Sequence, residues 1–285
     1  MIGVFDSGHG GLTVLKALVQ HFPDLGFVYL GDHANAPYGN RSSDEIVDLT
    51  KQGVETLFGQ GCQLVLLGCN TATSIACRTL QQNWLPRSQW QGSNVLGIIA
   101  PTVEVATQTP WGVNEPQYPQ MYKEDVIAVF ATQRTIESGV FDEEIKKRCP
   151  QIDVISQVCP DLAGAIENGA GVDELDGLVG HYVSQMQAQA GGKTPHWAIL
   201  GCTHYPLVED LFAKHLPASC RVLSQPTLVA RALGHYLRQH PDYIRAPQSE
   251  PDLKLLTTGN VEVVEQRLAF AWAERPGFQS TEHRL

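Results

Sequence analysis

The chain has 285 residues, 43% of them hydrophobic and 18% charged, and this composition excludes a globally disordered protein because it supplies ample apolar side chains for a packed core. It carries 20 Lys and Arg against 30 Asp and Glu, a formal net charge of −10. That charge argues against nucleic acid or an anionic membrane as the main partner, since both require a cationic surface. We therefore expect a small-molecule substrate, with no nucleic acid and no membrane.

Short apolar runs alternate with segments of helical periodicity along the chain. We predict strands at residues 2–5, 27–31, 63–68, 95–99, 126–131, 153–158, 196–201, 221–224 and 253–257. We predict helices near residues 11–21, 43–59, 71–82, 101–108, 173–189, 208–215, 226–239 and 261–273. This alternation specifies α/β architecture with doubly wound, mainly parallel sheets, and nine strands favour two smaller sheets over one. Residues 109–124 contain three prolines and no period, so we predict a long loop there.

The seven cysteines indicate a reducing compartment. Their number is odd, and no CxxC pair or dense spacing suggests a disulfide framework. The first residues lack the basic start and long apolar core of a signal peptide. We therefore expect free thiols and a cytoplasmic location.

The carboxyl end of the first predicted strand carries polar residues, where ligands bind in parallel α/β sheets. This strand is followed by Asp6-Ser7-Gly8-His9-Gly10-Gly11. The glycines allow a tight turn and expose backbone N–H groups, which favours an anion. Taken alone, Asp6 also fits an ordinary turn or cap residue.

Two further strand ends carry cysteine. The segments Gly68-Cys69-Asn70-Thr71-Ala72-Thr73 and Gly201-Cys202-Thr203-His204-Tyr205-Pro206 each follow an apolar strand and open a helix. A helix N-terminus lowers the pKa of a thiol, and the neighbouring hydroxyl and amide groups can bind a carboxylate. A lone cysteine is more simply a packing residue. Two at equivalent strand ends, about half the chain apart, indicate two similar halves that face one cleft.

Two thiols on opposite sides of one carbon suit the inversion of a stereocentre. One group removes a proton from one face, and the other delivers a proton to the opposite face of the planar carbanion. The ordinary pKa of a thiol, about 8.5, is shifted readily by its neighbours. Zinc is a competing explanation for Cys202 with His204, but no second Cys/His pair at ligand spacing accompanies them, so we expect no metal.

Four motifs together resemble glutamate racemase over nearly the whole chain: the turn that begins at Asp6-Ser7, Gly31-Asp32 with Pro37-Tyr38-Gly39, the segment Cys69-Asn70-Thr71-Ala72-Thr73, and Gly201-Cys202-Thr203-His204-Tyr205-Pro206-Leu207. The resemblance implies a cofactor-independent enzyme that makes D-glutamate for peptidoglycan in the cytoplasm. It also implies two pseudo-symmetric α/β domains with the active site in the cleft between them, often in a homodimer. We place the first domain at residues 1–98 plus 209–285 and the second at residues 99–208.

The resemblance also assigns roles. It implies that Cys69 is the base acting on the D-isomer and Cys202 the base acting on the L-isomer. Asp6 and His204 match the groups that assist them, and Glu167 matches a family glutamate near the site, although it equally fits a solvated carboxylate at a helix end. The implied substrate-binding residues are Asp6, Ser7, Tyr38, Gly39, Asn70, Thr71, Thr73, Thr203 and His204, and a further family segment is matched at Thr132 and Thr135.

Three departures from the family pattern leave alternatives open. The chain has His33-Ala34-Asn35 where Thr-Ala-Arg is usual, small residues before Glu167, and a longer loop at residues 109–124. None of these touches the thiols, so proton transfer is still expected. The substrate could be glutamate, aspartate or a related amino acid, and a non-catalytic binding or regulatory protein on the same fold stays an alternative.

Overall fold

A computed structural model describes residues 1–120, 125–244, 252–267, 272 and 275–281. Among these residues, all strand pairs are parallel and the strands form two sheets. The strands are β1 (Ile2–Asp6), β2 (Phe27–Gly31), β3 (Leu64–Leu67), β4 (Asn94–Gly97), β5 (Val126–Ala131), β6 (Asp153–Val158), β7 (Trp197–Gly201), β8 (Arg221–Leu223), β9 (Leu253–Thr257) and β10 (Phe278–Ser280). The predicted α/β class with two mainly parallel sheets is confirmed.

Helices connect these strands and cover both faces of each sheet. They are α1 (Gly11–His21), α2 (Ser43–Gly59), α3 (Asn70–Thr79), α4 (Ile99–Thr107), α5 (Gln133–Glu137), α6 (Val140–Arg148), α7 (Leu162–Glu167), α8 (Val172–Gln189), α9 (Glu209–His215), α10 (Gln225–Gln239) and α11 (Val261–Gln266). None of the helices in the described part of the chain is long and apolar enough to span a membrane.

The first sheet has the strand order β10-β9-β2-β1-β3-β4. Every residue of β1, β2 and β3 is buried, because helices lie on both faces, and this explains their continuous apolar runs. Alternate residues enter different cores: Val4 packs in the cluster that contains α1 and α10 residues, whereas Phe5 packs with α2 and α3 residues. The middle of the sheet therefore holds the end of β1 firmly.

The second sheet has the order β6-β5-β7-β8 and corrects the expected domain boundary. The sequence prediction places residues 209–223 in the first domain, but β8 pairs in parallel with β7. Phe212 of α9 likewise packs in the core of the second sheet. The chain returns to the first sheet only at α10, where Val229 and Leu233 pack with α1 residues.

Several short elements are absent from the predictions. Helix α6 lacks strong apolar periodicity and carries exposed ion pairs instead, such as Lys146 with Asp142 at 3.0 Å. Helices α5 and α7 and strand β10 are too short to produce a clear pattern. The helix predicted at residues 261–273 begins as expected in α11, and its residues 268–271 and 273 lie outside the described residues. Residues 109–120 form no helix or strand, and residues 121–124 are not described.

Candidate active site

A cavity of about 560 Å³ lies where the carboxyl ends of β1, β3 and β7 meet. Both sheets contribute to its wall, as the sequence predicts for a cleft between two halves. The predicted site residues that line it are Ser7, Tyr38, Gly39, Cys69, Asn70, Thr71, Thr132, Glu167, Cys202, Thr203 and His204.

Asp6 lies at the end of β1, next to this wall, and joins the two sheets. Its Oδ1 accepts a hydrogen bond of 2.7 Å from the Gly8 N–H, and its Oδ2 accepts one of 3.3 Å from the Thr203 hydroxyl. Burial raises the pKa of Asp6 above its ordinary value, although the nearby His204 opposes that shift. The carboxyl group is thus held between the first turn of one half and the thiol-bearing turn of the other.

Cys69 occupies the N-cap of α3, directly after β3. Its Sγ accepts a hydrogen bond of 3.4 Å from the Ala72 N–H and lies 3.5 Å from the Ser7 hydroxyl. Burial and, to a smaller extent, the Asp6 carboxylate raise the pKa of this thiol to about 12. The helix N-terminus lowers this pKa through the Ala72 N–H, as expected, but desolvation outweighs the backbone donors and the net shift is upward.

Cys202 has an ionisable partner instead. Its Sγ lies 3.8 Å from Nδ1 of His204, whose Nε2 lies 3.5 Å from Oε2 of Glu167. This last contact is electrostatic, since its geometry does not satisfy a directed hydrogen bond. Burial alone would lower the pKa of His204, but Cys202 and Glu167 raise it well above its ordinary value. The two thiols thus have different surroundings.

Glu167 is partly buried between two histidines and is not a solvated helix-end carboxylate. Its Oε1 lies 2.5 Å from Nδ1 of His9, and its Oε2 faces His204. Burial opposes its ionisation, but the two histidines hold the pKa of Glu167 below its ordinary value. The sequence places Glu167 near the site, but it assigns no role to His9, which stands in the turn after the first strand.

Tyr38 and the unusual segment at residues 33–35 both contact the carboxylate of Asp32. The Tyr38 hydroxyl donates to Asp32 Oδ2 at 2.6 Å, while the Asn35 amide and the Thr258 hydroxyl donate to Oδ1 at 3.0 and 2.6 Å. Burial and the neighbouring Asp32 raise the pKa of Tyr38 above its ordinary value. Asn35 thus supports the wall around Tyr38.

The remaining polar residues divide into cavity contacts and structural groups. The Thr71 hydroxyl lies 3.2 Å from those of Thr132 and Thr135, which ties α3 to the second sheet. Asn70 lines the cavity, and its side-chain amide pairs with Gln225 at 2.6 and 3.0 Å. Thr73 does not line this cavity, because its hydroxyl donates to the Leu67 carbonyl at 3.0 Å. The geometry therefore does not support Thr73 as a substrate contact.

A wall segment that carries no recognised motif comes from the residues after β9. Thr258, Gly259, Asn260 and Arg267 line the cavity together with His33. The sequence contains no signal for this wall, since β9 reaches it only by pairing with β2 in the middle of the first sheet. Among the described residues, no group of three or more His, Cys, Asp and Glu is arranged to hold a metal ion.

Known proteins resemble the chain over almost its whole length. No protein-family model matches it, but a glutamate racemase from Phenylobacterium zucineum is 48% identical over 262 residues, which cover 90% of this chain and 92% of that protein. The chain belongs to the glutamate racemase family. A glutamate racemase from Caulobacter sp. is 47% identical over the same share of both chains.

A solved structure supports the same family assignment. Glutamate racemase isoform RacE1 from Bacillus anthracis has a TM-score of 0.82 at 26% identity, with 100% of this chain and 98% of that one covered. The predicted activity class is confirmed: the chain is an amino-acid isomerase that racemises glutamate. Membership of the glutamate racemase family favours glutamate over the aspartate and non-catalytic alternatives.

Proposed function

We propose that the chain inverts glutamate at Cα with two thiols, Cys69 and Cys202, and without a cofactor. One observation carries the proposal: two buried cysteines, at equivalent strand ends of two separate sheets, line one cavity. A carbon held between them would be approached from two sides. This arrangement provides one proton acceptor and one proton donor in each direction of the reaction.

The proposed proton transfers balance for the L-isomer as follows. The Cys202 thiolate takes the Cα proton, and the electron pair left on carbon delocalises into the α-carboxylate. The Cys69 thiol then gives its proton to the opposite face of carbon. D-glutamate forms, Cys202 becomes a thiol and Cys69 becomes a thiolate. The D-isomer reacts through the same steps in reverse.

The surroundings of each thiol support these roles. Nδ1 of His204 lies 3.8 Å from the Cys202 sulfur and can take its proton, which prepares a thiolate beside an imidazolium. Cys69 has a pKa raised to about 12 by burial, so it is a thiol before substrate binds and is ready to donate. Asp6 lies behind it and, through Thr203, contacts the turn that carries Cys202. We propose that Asp6 and His204 assist Cys69 and Cys202 respectively, with Glu167 holding His204.

The cavity suits an amino acid with two carboxylates. Its volume of about 560 Å³ falls in the usual range of small-molecule sites, about 300–1,000 Å³. We propose that Ser7, Tyr38–Gly39, Asn70–Thr71 and Thr203–His204 bind the substrate through hydroxyl, amide and backbone donors. A glutamate racemase from Francisella tularensis, 26% identical with a TM-score of 0.77, was solved in complex with D-glutamate, which supports the same substrate here.

We further propose that the D-glutamate product serves peptidoglycan synthesis in the cytoplasm. All seven cysteines are free, and the two-thiol chemistry requires a reducing compartment. The resemblance to the family also favours a homodimer, which light scattering of the purified protein would reveal.

The experiment is to measure glutamate racemization, by circular dichroism of the amino acid, for Cys69→Ser and Cys202→Ser. A serine hydroxyl is a far weaker acid than a thiol, so each variant should lose at least about 100-fold in kcat. Cys220→Ser is the matched control because Cys220 is free and does not line the cavity. Full activity in either Cys69→Ser or Cys202→Ser would contradict the proposal, as would faster turnover of aspartate than of glutamate by the parent.

A further inference from the structure

His9 contacts both halves of the molecule. It lies in the turn after β1, and its side chain is only 2% exposed. Its Nδ1 lies 2.5 Å from Oε1 of Glu167, the last residue of α7, which packs against the second sheet. Its Nε2 lies 3.4 Å from the carbonyl oxygen of Val264 in α11. A side chain of the first half therefore reaches a carboxylate of the second.

The partners of this imidazole determine where its proton lies. A carboxylate oxygen and a carbonyl oxygen are both acceptors, so each nitrogen of the His9 ring faces an acceptor. The Glu167 oxygen is much closer and carries charge, and a charge-assisted hydrogen bond is the stronger of the two. His9 thus donates from Nδ1 to Oε1, and this leaves Oε2 free to face His204.

A continuous series of contacts leads from His9 to one thiol. Glu167 Oε2 lies 3.5 Å from Nε2 of His204, and the other ring nitrogen of His204 lies 3.8 Å from the Cys202 sulfur. Cys69 has no equivalent series, since its hydrogen bonds go to the Ser7 hydroxyl and the Ala72 N–H. A change at His9 should therefore affect the Cys202 side of the reaction first.

A neighbouring, partly buried histidine has different partners from those of His9. The rings of His9 and His33 pack with their centroids 4.2 Å apart. His33 Nδ1, however, meets the Thr257 hydroxyl at 2.8 Å and the Gly31 carbonyl at 3.0 Å, and neither belongs to the second half. Burial and the adjacent His9 lower the pKa of His33 to about 3, so it stays neutral and adds no positive charge beside Glu167.

We propose that His9 is a positioning residue for the racemization, which orients Glu167 against His204 and thereby supports proton transfer at Cys202. The inference rests on the proposed function of Cys202. It adds that the first half of the molecule contributes to the Cys202 side by a hydrogen bond across the cleft, in addition to the contact between Asp6 and Thr203.

The test is a double-mutant cycle on the full-length protein with His9→Ala, Glu167→Gln and the double variant. Loss of the hydrogen bond from His9 lets Glu167 move, and a misplacement of about 1 Å can lower a rate about 100-fold. We therefore expect His9→Ala to lose roughly 10- to 100-fold in kcat with little change in KM. If His9 acts through Glu167, His9→Ala should cost less than about 2-fold in the Glu167→Gln background. Equal losses in both backgrounds would contradict the proposal.

The conservative variant His9→Asn separates positioning from folding. Its side-chain amide nitrogen lies where Nδ1 of histidine lies and can donate to Glu167. We expect His9→Asn to retain at least about a third of the parent kcat. His9→Ala and His9→Asn should have similar thermal midpoints; a drop in kcat that follows the thermal midpoint and is not rescued by Asn would show a merely structural role and overturn the proposal.

Substrate isotope effects give a readout specific to one thiol. With α-deuterated L-glutamate, His9→Ala should show a larger isotope effect on kcat/KM than the parent, because deprotonation by Cys202 becomes slower. With α-deuterated D-glutamate the isotope effect should fall, since reprotonation by Cys202 now limits that direction. Equal changes for both isomers would overturn the role of His9 at Cys202.

Different results would contradict the proposed function and the proposal for His9. An inactive parent, or an active Cys202→Ser variant, contradicts the proposed function whatever His9 does. An active parent with inactive cysteine variants, combined with unchanged kcat in His9→Ala, contradicts only the proposal for His9.

Discussion

Gly10 lies close to the Thr203–His204 turn of the other half, and its replacement tests whether that close approach controls catalysis. A Cβ at this position would lie 2.4 Å from the Thr203 hydroxyl and 2.7 Å from Nδ1 of His204, where ordinary contact begins near 3.4 Å. Gly10 has φ −58° and ψ −37°, which alanine adopts readily. Any effect of Gly10→Ala must therefore come from contact and not from backbone strain.

The expected loss of activity in Gly10→Ala follows from the distance that the neighbouring turn must move. The turn that carries Thr203 and His204 must shift by about 1 Å, which is expected to lower kcat/KM roughly 100-fold, or about 2.7 kcal/mol in activation free energy. The overpacking should also reduce the free energy of unfolding by about 1–3 kcal/mol. Because the racemization has an equilibrium constant of one, kcat/KM must fall by the same factor in both directions.

The assay is racemization of each glutamate isomer with a thermal unfolding scan of the same samples. Gly177→Ala is the matched control, since a Cβ there meets nothing within 4 Å. This residue lies inside α8, where the change should stabilise the helix by up to about 1 kcal/mol without altering kcat/KM. A Gly10→Ala variant with kcat/KM within threefold of the parent would refute the reasoning.

Three further predictions concern the supports of the site. Tyr38→Phe removes the hydroxyl that donates to buried Asp32 at 2.6 Å. A denaturant titration should show a loss of about 1–3 kcal/mol in the free energy of unfolding, and an unchanged value would contradict this. Arg148 is 3% exposed and donates to Glu144 at 2.7 Å and to the Val113 carbonyl at 3.0 Å. Arg148→Met should therefore lower the free energy of unfolding by about 3–5 kcal/mol in the same titration, and a loss below about 1 kcal/mol would refute this. The raised pKa of His204 should make the parent more stable than His204→Asn below about pH 6.5. This difference in unfolding free energy should shrink as the pH rises through the higher pKa of the folded state. Denaturant titrations that show a larger difference near pH 9 than near pH 6 would contradict this prediction.

The strands that carry the site were predictable from the sequence. The runs that end at Asp6, Leu67 and Gly201 are apolar and bounded by glycine or polar residues, and burial on both faces of a parallel sheet produces that pattern. The short strand β8 was also predicted, but its sheet was not. The sheet to which β8 belongs is decided by its pairing with β7. The sequence of a three-residue strand contains no pattern that indicates its partner strand.

The individual groups of the site were harder to predict where they depend on contacts across the cleft. The bond between His9 and Glu167 joins residues 158 positions apart, and no local pattern encodes that distance. The pKa of Cys69 depends on competition between burial and the helix N-terminus, and only the packed structure shows that burial wins. Thr73 lies in the same motif as Cys69, yet its rotation about the axis of α3 turns it away from the cavity.

The central claim, that two thiols act on opposite faces of one carbon, is tested most directly by the fate of the α-proton. The measurement is the deuterium content of both isomers by mass spectrometry, early in the reaction of protiated L-glutamate in deuterium oxide. Thiol protons exchange rapidly with solvent, so the account predicts D-glutamate that carries deuterium at Cα, while recovered L-glutamate stays protiated. D-glutamate that retains the original proton would show that a single base moves it between faces, and would contradict the account.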